Sequence, residues 1–306
     1  MKSIQYLLFS LFISLQVSCQ TKSDDTFTTY KAVPKTEMGT QLVENSNLVA
    51  QIFKDSTYTL TAGVQVNELS YLAQKGYSMK TFVYTLDLNN PQISVVASMP
   101  HNKPEFAMQP MTAQATALLN PNFEVVGGVN GDFYDMTTGV PRGIFVFNGQ
   151  VLRAAYTTRN EGYLAVNKHN KVSLEEIENF DQQAQQLQQA VSGGVWLVKN
   201  GQTVAQTDKE IHPRTAVGLT KDNQLLLMVV DGRNYTWSNG MNYEDLGDFM
   251  RSIGSVKALN LDGGGSSTFF INPNFSVNRF EIRNLPADNG GIERAVGNGI
   301  IITKTK

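Results

Sequence analysis

The sequence of 306 residues contains one cysteine and three histidines, and this scarcity removes two common kinds of chemistry. A single cysteine, Cys19, leaves no pair for a disulfide within the chain. No histidine has a His, Cys or carboxylate partner at the spacing of a zinc motif. Calcium binding through Asp132, Asp135 or Asp231 lacks the spacing of an EF-hand loop. The sequence therefore predicts neither a bound metal ion nor a cofactor.

An excess of positive charge is also absent. Lys and Arg number 25 against 27 Asp and Glu, which gives a formal net charge of -2. The basic residues are scattered along the chain, and they do not alternate with aromatic residues that could stack on bases. Nucleic acid is therefore not an expected partner.

The N-terminal apolar run, residues 6–15, is too short to span a membrane comfortably. It follows a positive start and ends shortly before Ser18 and Cys19, a pattern that predicts a lipoprotein signal peptide over residues 1–19 with Cys19 lipidated. Gln16 stands where such signals usually have leucine, so cleavage by the ordinary signal peptidase is the alternative. Polar residues 20–40 would form a flexible tether. We expect a bacterial envelope protein, attached to a membrane through its lipid and held outside the inner membrane, on the outer membrane.

Residues 41–306 are expected to form one α+β domain, a mixed arrangement of sheet and helix that is rich in sheet. Apolar spacing predicts helices near residues 41–53, 108–119 and 243–252. The glutamine-rich segment 174–191 predicts a partly amphipathic helix near the surface. No internal repeat suggests a second domain.

The most informative segment is a glycine run that follows an apolar strand. It reads Asn260-Leu261-Asp262-Gly263-Gly264-Gly265-Ser266-Ser267-Thr268. Glycine lets backbone N–H groups approach an anion, and the serine hydroxyls add further donors. No Lys-Ser or Lys-Thr follows as in a P-loop, and the glycines lack the spacing of a dinucleotide fingerprint. The pattern predicts a binding loop, and the alternative is a tight turn between two strands.

A second apolar strand also ends in an Asp-Gly pair, in the segment Val230-Asp231-Gly232-Arg233. An aspartate without a partner is costly inside a core, so a strand end is the favoured place for it. We therefore expect the glycine-rich loops at these strand ends to form one cleft.

Together these motifs resemble the phosphodiester glycosidase family. The resemblance covers about residues 75–303 and rests on ordered segments that include Val129-Asn130-Gly131-Asp132, Gly139-Val140-Pro141-Arg142-Gly143, His212-Pro213-Arg214-Thr215, Val230-Asp231-Gly232-Arg233, the glycine run, and Glu293-Arg294-Ala295-Val296. The family is typified by a lysosomal enzyme that removes N-acetylglucosamine from a phosphodiester on mannose. The resemblance implies a hydrolase that cleaves the C1–O bond of a glycosyl phosphodiester.

Such a reaction places carboxylates at the centre of the site. We choose Asp262 as the catalytic carboxylate because the following glycines leave it uncovered; its alternative role is to cap the turn through the amides of Gly264 or Gly265. Glu244, at the start of a helix, is the second choice, and Asp132 is close behind. A phosphate leaving group needs little protonation, so one carboxylate with cationic partners could suffice.

The expected substrate-binding residues surround these carboxylates. Arg214 and Arg233 would hold the phosphate bidentately, or would instead form structural ion pairs with Asp132 or Asp231. Asn130 would bind a sugar hydroxyl or cap its own turn. Arg294, beside Glu293, is as easily explained as a surface pair. The remaining expected substrate-binding residues are Asp231, Gly264, Gly265, Ser266 and Ser267.

Two other functions fit the same residues. One is a glycan-binding envelope protein that has the cleft without turnover. The other is an ordinary glycosidase that acts on neutral glycans, which would need a general acid with a raised pKa.

Overall fold

The computed structural model describes residues 32–306 except residues 276, 278 and 289. The predicted signal peptide, its lipidated Cys19 and the first part of the predicted tether lie outside the described residues. Within the described part, no helix is both long enough and apolar enough to cross a membrane.

The described chain is built mainly from strands. The helices are α1 (Glu37–Asn45), α2 (Met111–Leu118), α3 (Phe180–Gln183) and α4 (Tyr243–Ser252). The strands are β1 (Val49–Thr61), β2 (Val64–Ala73), β3 (Ser78–Asp87), β4 (Ile93–Ser98), β5 (Phe123–Asn130), β6 (Phe145–Phe147), β7 (Gln150–Arg153), β8 (Gly162–Asn167), β9 (Val172–Glu176), β10 (Leu187–Ser192), β11 (Trp196–Lys199), β12 (Gln202–Thr203), β13 (Arg214–Thr220), β14 (Gln224–Val230), β15 (Ser255–Asn260), β16 (Phe269–Ile271), β17 (Glu281–Ile282) and β18 (Gly299–Thr305).

These strands form three antiparallel sheets. Sheet 1 has the order β1-β2-β3-β14-β13-β15-β11-β12, sheet 2 has β17-β16-β5-β18-β4, and sheet 3 has β7-β6-β10-β8-β9. The largest buried apolar cluster draws side chains from all three, among them Leu259 of sheet 1, Ile300 of sheet 2 and Phe145 of sheet 3. One core therefore joins the sheets, and the predicted α+β, sheet-rich class is confirmed.

Helix α4 covers the other face of sheet 1. Its side chains Leu246, Phe249 and Met250 are buried in a second apolar cluster. Asn242 caps its N-terminus by accepting a hydrogen bond from the backbone N–H of Asp245 at 2.8 Å. The helix predicted over residues 243–252 is confirmed.

The glutamine-rich segment is the clearest secondary-structure prediction that is wrong. Instead of one helix, it contains the end of β9, short helical turns and strand β10, which pairs with both β6 and β8. Leu187, Ala190 and Val191 are buried. Gln189 is buried too, and its amide exchanges hydrogen bonds with Asn148. Sheet pairing and a satisfied buried amide therefore outweigh the helical preference of glutamine.

The start of the domain also differs from the sequence-based boundary. Helix α1 begins at Glu37, and the Thr36 hydroxyl caps it by accepting from Gly39 N at 3.0 Å. Met38 and Leu42 are buried. The predicted helix over 41–53 gives way to a strand from Val49, and a boundary at residue 41 falls inside α1.

Candidate active site

Sheet 1 brings three motif strands to one edge. Strands β14 and β15 each pair antiparallel with β13, so both end at the edge where β13 begins. That edge carries Asp231 after β14, Asp262 after β15 and Arg214 at the start of β13. The two Asp-Gly turns therefore lie at one sheet edge, as the single cleft expected from the sequence requires.

The glycine loop crosses from sheet 1 to sheet 2, where β16 pairs with β5. Asn130, at the end of β5, clasps this loop: its Nδ2 donates to Asp262 O at 2.6 Å, and its Oδ1 accepts from Thr268 N at 3.1 Å and Thr215 Oγ1 at 2.8 Å. Asp262 N donates to Gly131 O at 2.9 Å. Asn130 is 1% exposed. Its amide therefore holds the loop in place, and the sugar-binding role considered from the sequence is not supported.

Asp262, a partly exposed residue, lies at the start of the glycine loop. Burial raises the pKa of Asp262 to about 6, while the Ser266 hydroxyl, the Gly263 amide and the charges of Arg294 and Arg142 act in the opposite direction. The backbone N–H of Gly263 donates a hydrogen bond to Asp262 Oδ1 at 2.9 Å. This residue thus caps its own turn and still faces solvent, with a proton affinity suited to acid-base work near neutral pH.

Asp132 lies deeper, at 1% exposure. Its Oδ2 accepts from Gly143 N at 2.7 Å, and its Oδ1 has no hydrogen-bond partner among the described residues. Burial raises the pKa of Asp132 well above its usual range, and the nearby charge of Asp262 raises it further. Both effects disfavour the ionised form of Asp132 and so act against a second negative charge beside Asp262.

Glu244 does not join this cluster. Its half-exposed side chain forms an ion pair with Lys209, which lowers the pKa of the carboxyl. The cause of this lowered pKa is Lys209 rather than the helix start expected from the sequence, and the main bonds and charges that act on Asp262 come from other residues. Its interpretation as the second catalytic carboxylate is not supported by this placement.

Asp231 is buried behind the glycine loop. Its carboxylate accepts from Trp237 Nε1 at 2.8 Å, Asn284 Nδ2 at 3.1 Å and Leu285 N at 3.0 Å. The same Asn284 amide also donates to Ser267 O at 3.0 Å. Burial raises the pKa of Asp231 to about 6. The residue therefore ties two loops to the glycine loop and is 1% exposed, too deep for the substrate contact expected from the sequence.

Arg214 is likewise engaged within the protein. Its Nε donates to Met241 O at 2.8 Å, its Nη2 donates to Glu210 O at 2.6 Å, and its guanidinium lies 4.0 Å from the centre of the Tyr243 ring. It is 4% exposed. Arg214 therefore has a structural role rather than a phosphate-binding one, and its partners are backbone carbonyls and an aromatic ring instead of the expected aspartate.

Arg233 and Arg294 flank the glycine loop. A Cβ built on Gly264 would lie 3.2 Å from Nη2 of Arg233, and Nη1 of Arg294 donates to Ser266 Oγ at 3.3 Å. Asp288 forms an ion pair with both arginines, with 3.8 Å between its Oδ1 and Nη1 of Arg233. Two guanidinium groups are thus held over the loop by one carboxylate.

The other predicted loop residues divide by burial. Gly264 has φ +62°, a conformation that favours glycine. At Gly265 an added Cβ would collide with Asp288 and Arg294. Ser266 is fully buried, and its hydroxyl lies between Asp262 and Arg294. Ser267 is 1% exposed and accepts from Thr215 Oγ1 at 3.3 Å, which is an internal contact.

Arg142 is a site residue that sequence reasoning did not assign. Its side chain is exposed, and its charge lowers the pKa of both Asp132 and Asp262. The signal was available in the Pro-Arg-Gly segment after the Asp132 turn, but no spacing rule links residue 142 to residue 262. A hydrogen bond from Arg142 N to Phe133 O, at 2.7 Å, holds together the two ends of the loop between these residues.

Glu293 serves the scaffold. Its carboxylate accepts from the backbone N–H of Thr112 at 3.2 Å and from the Thr112 hydroxyl, at the first turn of α2. A carboxylate there complements the helix dipole. This contact fixes the segment that carries Arg294.

Two features of the wider surface bear on the site. Among the described residues, no group of three or more His, Cys, Asp or Glu side chains could hold a metal ion. A cavity of about 620 Å³ near α1 and sheet 1 contains none of the motif residues, whereas one of about 590 Å³ is lined by Tyr134 and Arg142. The second cavity therefore adjoins the cluster around Asp262.

Comparison with known proteins gives a consistent family and fold. The profile of the phosphodiester glycosidase family matches residues 123–303. The N-acetylglucosamine-1-phosphodiester alpha-N-acetylglucosaminidase of Mus musculus is 31% identical over 168 residues, which span 47% of this chain and 31% of that enzyme. The chain thus matches about a third of that relative's length.

Solved structures share the fold at low identity. The zebrafish N-acetylglucosamine-1-phosphodiester alpha-N-acetylglucosaminidase catalytic domain, auto-inhibited by its pro-peptide, has a TM-score of 0.61 at 20% identity, covering 82% of this chain and 88% of that one. A protein from Synechocystis has a TM-score of 0.65 at 12% identity, covering 82% and 64%.

Proposed function

The chain belongs to the phosphodiester glycosidase family, and we propose that it hydrolyses the bond between the anomeric carbon of a sugar and the oxygen of a phosphodiester. The products are a free sugar and a phosphomonoester. The matched region, residues 123–303, contains the carboxylates and arginines that line the candidate site.

The observation that carries this proposal is the environment of Asp262. Asp262, a partly exposed residue whose carboxyl has a pKa of about 6, lies at the start of a glycine loop beside two guanidinium groups. A cleaved glycosidic bond develops positive charge on the sugar, and an ionised carboxylate stabilises that charge. Near neutral pH most of Asp262 is ionised, so it can perform this role or take a proton from the attacking water.

The arginines account for the phosphate. Arg233 lies beside Gly264 of the glycine loop and Arg294 donates to Ser266, and guanidinium groups bind phosphate oxygens bidentately. The Ser266 hydroxyl lies between Arg294 and Asp262, at the junction between the proposed phosphate and sugar positions. A bound phosphate would take the place of the Asp288 carboxylate as the partner of both arginines.

Asp132 supports the same arrangement. A second ionised carboxylate beside Asp262 would repel an anionic substrate, and burial instead favours the protonated form of Asp132. Its side chain is too deeply buried to touch the sugar. We assign it the role of holding a proton next to Asp262, so that one carboxylate acts at the sugar.

The leaving group explains why one exposed carboxylate is enough. A phosphodiester leaves as a weakly basic phosphate, which the arginines stabilise without full protonation. A neutral alcohol leaving group would require a general acid placed against the glycosidic oxygen. Asp132, whose pKa burial also raises, is buried away from the surface and cannot be placed against that oxygen.

The test replaces Asp262 with asparagine, which removes the charge and nearly keeps the shape. We expect turnover of N-acetylglucosaminyl phosphodiesters to fall by at least about a thousandfold, because a transition-state carboxylate contributes several kcal/mol. Asp222→Asn is the matched control, since Asp222 lies in the exposed turn between β13 and β14. Wild-type activity in a folded Asp262→Asn protein would exclude the assignment.

A panel of ligands separates the other functions. Turnover of neutral aryl glycosides but not of glycosyl phosphodiesters would indicate an ordinary glycosidase. Glycan binding measured by calorimetry without turnover of either class would indicate a binding protein.

We also propose that the enzyme acts in the cell envelope, held there by a lipid on Cys19. The support is the apolar run followed by Ser18 and Cys19 in the sequence. This attachment would place the site beside envelope glycans.

A further inference from the structure

The cavity of about 590 Å³ beside the candidate site has a chemistry of its own. It is formed by the loop from Tyr134 to Arg142 and by Arg153 at the end of β7. Its lining includes the hydroxyls of Thr137 and Thr138. The proposed hydrolysis at Asp262 does not by itself use this cavity.

Tyr134 connects the cavity to the catalytic cluster. Its hydroxyl donates to Ala295 O at 2.9 Å, next to Arg294 in the chain. Burial raises the pKa of Tyr134, and the Ser266 hydroxyl and the charge of Asp262 also act on it. Arg142, on the same wall, acts on Asp262 through its charge. The cavity and the cluster around Asp262 are therefore neighbours, with Tyr134 and Arg142 interacting with both.

Two arginines in the cavity lack carboxylate partners. Among the described residues, neither Arg142 nor Arg153 forms an ion pair, in contrast to Arg233 and Arg294, which share Asp288. Arg153 Nε donates only a long bond to Arg142 O, at 3.4 Å. Their guanidinium donors are thus left for an external acceptor.

The one acidic residue in the lining is occupied with its own turn. Asp135 Oδ1 accepts from Thr137 N at 2.9 Å, Thr138 N at 2.9 Å and Thr138 Oγ1 at 3.0 Å. These bonds hold its carboxylate against the loop, and they lower its pKa together with the charge of Arg142. Two guanidinium groups therefore face one carboxylate that is already bonded, so the lining carries a net positive charge.

We propose that this cavity is a second anion subsite, which binds a phosphate or carboxylate carried by the aglycone of the substrate. The inference rests on the proposed function and deepens it. The substrate class becomes a glycosyl phosphodiester whose non-sugar side bears a further negative charge. Arg233 and Arg294 hold the phosphate at the cleaved bond, and Arg142 and Arg153 hold the second anion.

The test uses two pairs of compounds that differ by one phosphate. The substrates are N-acetylglucosaminyl phosphodiesters of 1,3-propanediol and of 3-hydroxypropyl phosphate. The corresponding product ligands, 3-hydroxypropyl phosphate and 1,3-propanediol bisphosphate, are titrated by calorimetry, which needs no turnover. Arg153→Gln removes the positive charge. Arg153→Lys keeps the charge but cannot donate two parallel hydrogen bonds to one anion. Arg159→Gln is the matched control, because Arg159 is exposed and does not line the cavity.

We expect the wild-type protein to prefer the ligand with the extra phosphate by about tenfold, the value of one hydrogen bond between charged groups. The preference should disappear in Arg153→Gln, persist in part in Arg153→Lys and remain whole in Arg159→Gln. The ratio of KM for the two substrates should change in the same way. Circular dichroism verifies that each variant is folded.

Three results would overturn the subsite: equal binding of both ligands by the wild-type protein, an unchanged preference in folded Arg153→Gln, or an equal loss in Arg159→Gln, which would indicate general attraction to surface charge. Failure of the proposed function looks different. In that case neither substrate is turned over, while calorimetry still detects the preference for the bisphosphate. Turnover of both substrates with the same KM would support the proposed hydrolysis and exclude the second anion subsite.

Discussion

The raised pKa of Asp262 predicts that this residue destabilises the folded protein near neutral pH. Its pKa is about 6 in the folded chain against 3.8 for a free aspartate. The folded state therefore holds a proton in the window between these values that the unfolded state has lost. The contribution of Asp262 to stability is therefore fully present below about pH 4 and is lost as the pH rises through about 6.

The size of this effect follows from the difference in pKa. Moving from 3.8 to about 6 corresponds to about 3 kcal/mol as an upper value, since solvent screens a partly exposed carboxylate. Asp262→Asn removes this contribution. Relative to the wild-type protein, the variant should gain up to about 3 kcal/mol between pH 4 and pH 8. Asp231 has a similarly raised pKa, but it titrates in both proteins and cancels in the comparison.

Urea unfolding at pH 4 and pH 8 measures the effect. At each pH, the stability of the wild type is subtracted from that of the variant. The prediction concerns how this difference changes between pH 4 and pH 8, because effects of the new amide that do not depend on pH then cancel. Asp222→Asn should show no such change. A stability difference that is the same at both pH values for Asp262→Asn would refute the raised pKa and the environment inferred from it.

Other variants test separate parts of the structure. Arg233→Ala should reduce turnover of phosphodiesters far more than turnover of activated neutral glycosides. Arg214→Ala should mainly lower stability in urea unfolding. The reverse result would indicate that Arg214 binds the phosphate and that Arg233 is structural. Asn130→Ala should lose about 2 to 4 kcal/mol of stability, because three donor or acceptor groups, two on the glycine loop and one on β13, lose their partner; a loss below about 0.5 kcal/mol would contradict the role of Asn130 in holding the loop. Cys19→Ser should move the protein from the membrane fraction to the soluble fraction after a salt wash, and retention on the membrane would contradict the lipid anchor.

Local patterns were sufficient to predict the framework of the site. Apolar strands that end in Asp-Gly suggested one shared cleft, and the two aspartates do lie at one sheet edge because β14 and β15 flank β13 in the same direction. The glycine run predicted an uncovered carboxylate, and Asp262 is indeed partly exposed. Both inferences depend on short-range rules for strands and turns.

The roles of the surrounding polar residues depend on contacts that are distant in sequence. Asn130 bonds to a loop 132 residues away, and Asp231 meets Asn284 53 residues later. Neither partner could be identified from spacing, so residues expected to bind substrate proved to hold loops. The same limit applies to Glu244, whose partner Lys209 lies in another segment.

The unassigned arginines illustrate the opposite error. Arg294 was as easily explained as a surface pair with its neighbour Glu293. In the structure the two side chains diverge: Glu293 bonds to Thr112 at the start of α2, while Arg294 bonds to Ser266 and Asp288 beside the glycine loop. Adjacent charges in the sequence therefore gave no information on where each would point.

The proposed hydrolysis breaks the bond between carbon C1 of the sugar and oxygen, and it leaves the phosphorus–oxygen bond intact. Hydrolysis of an N-acetylglucosaminyl phosphodiester in water enriched in oxygen-18, followed by mass spectrometry of both products, distinguishes the two bonds. We predict that the label appears in the released sugar and that the phosphomonoester stays unlabelled. Label in the phosphomonoester would show attack at phosphorus and would contradict the role assigned to Asp262.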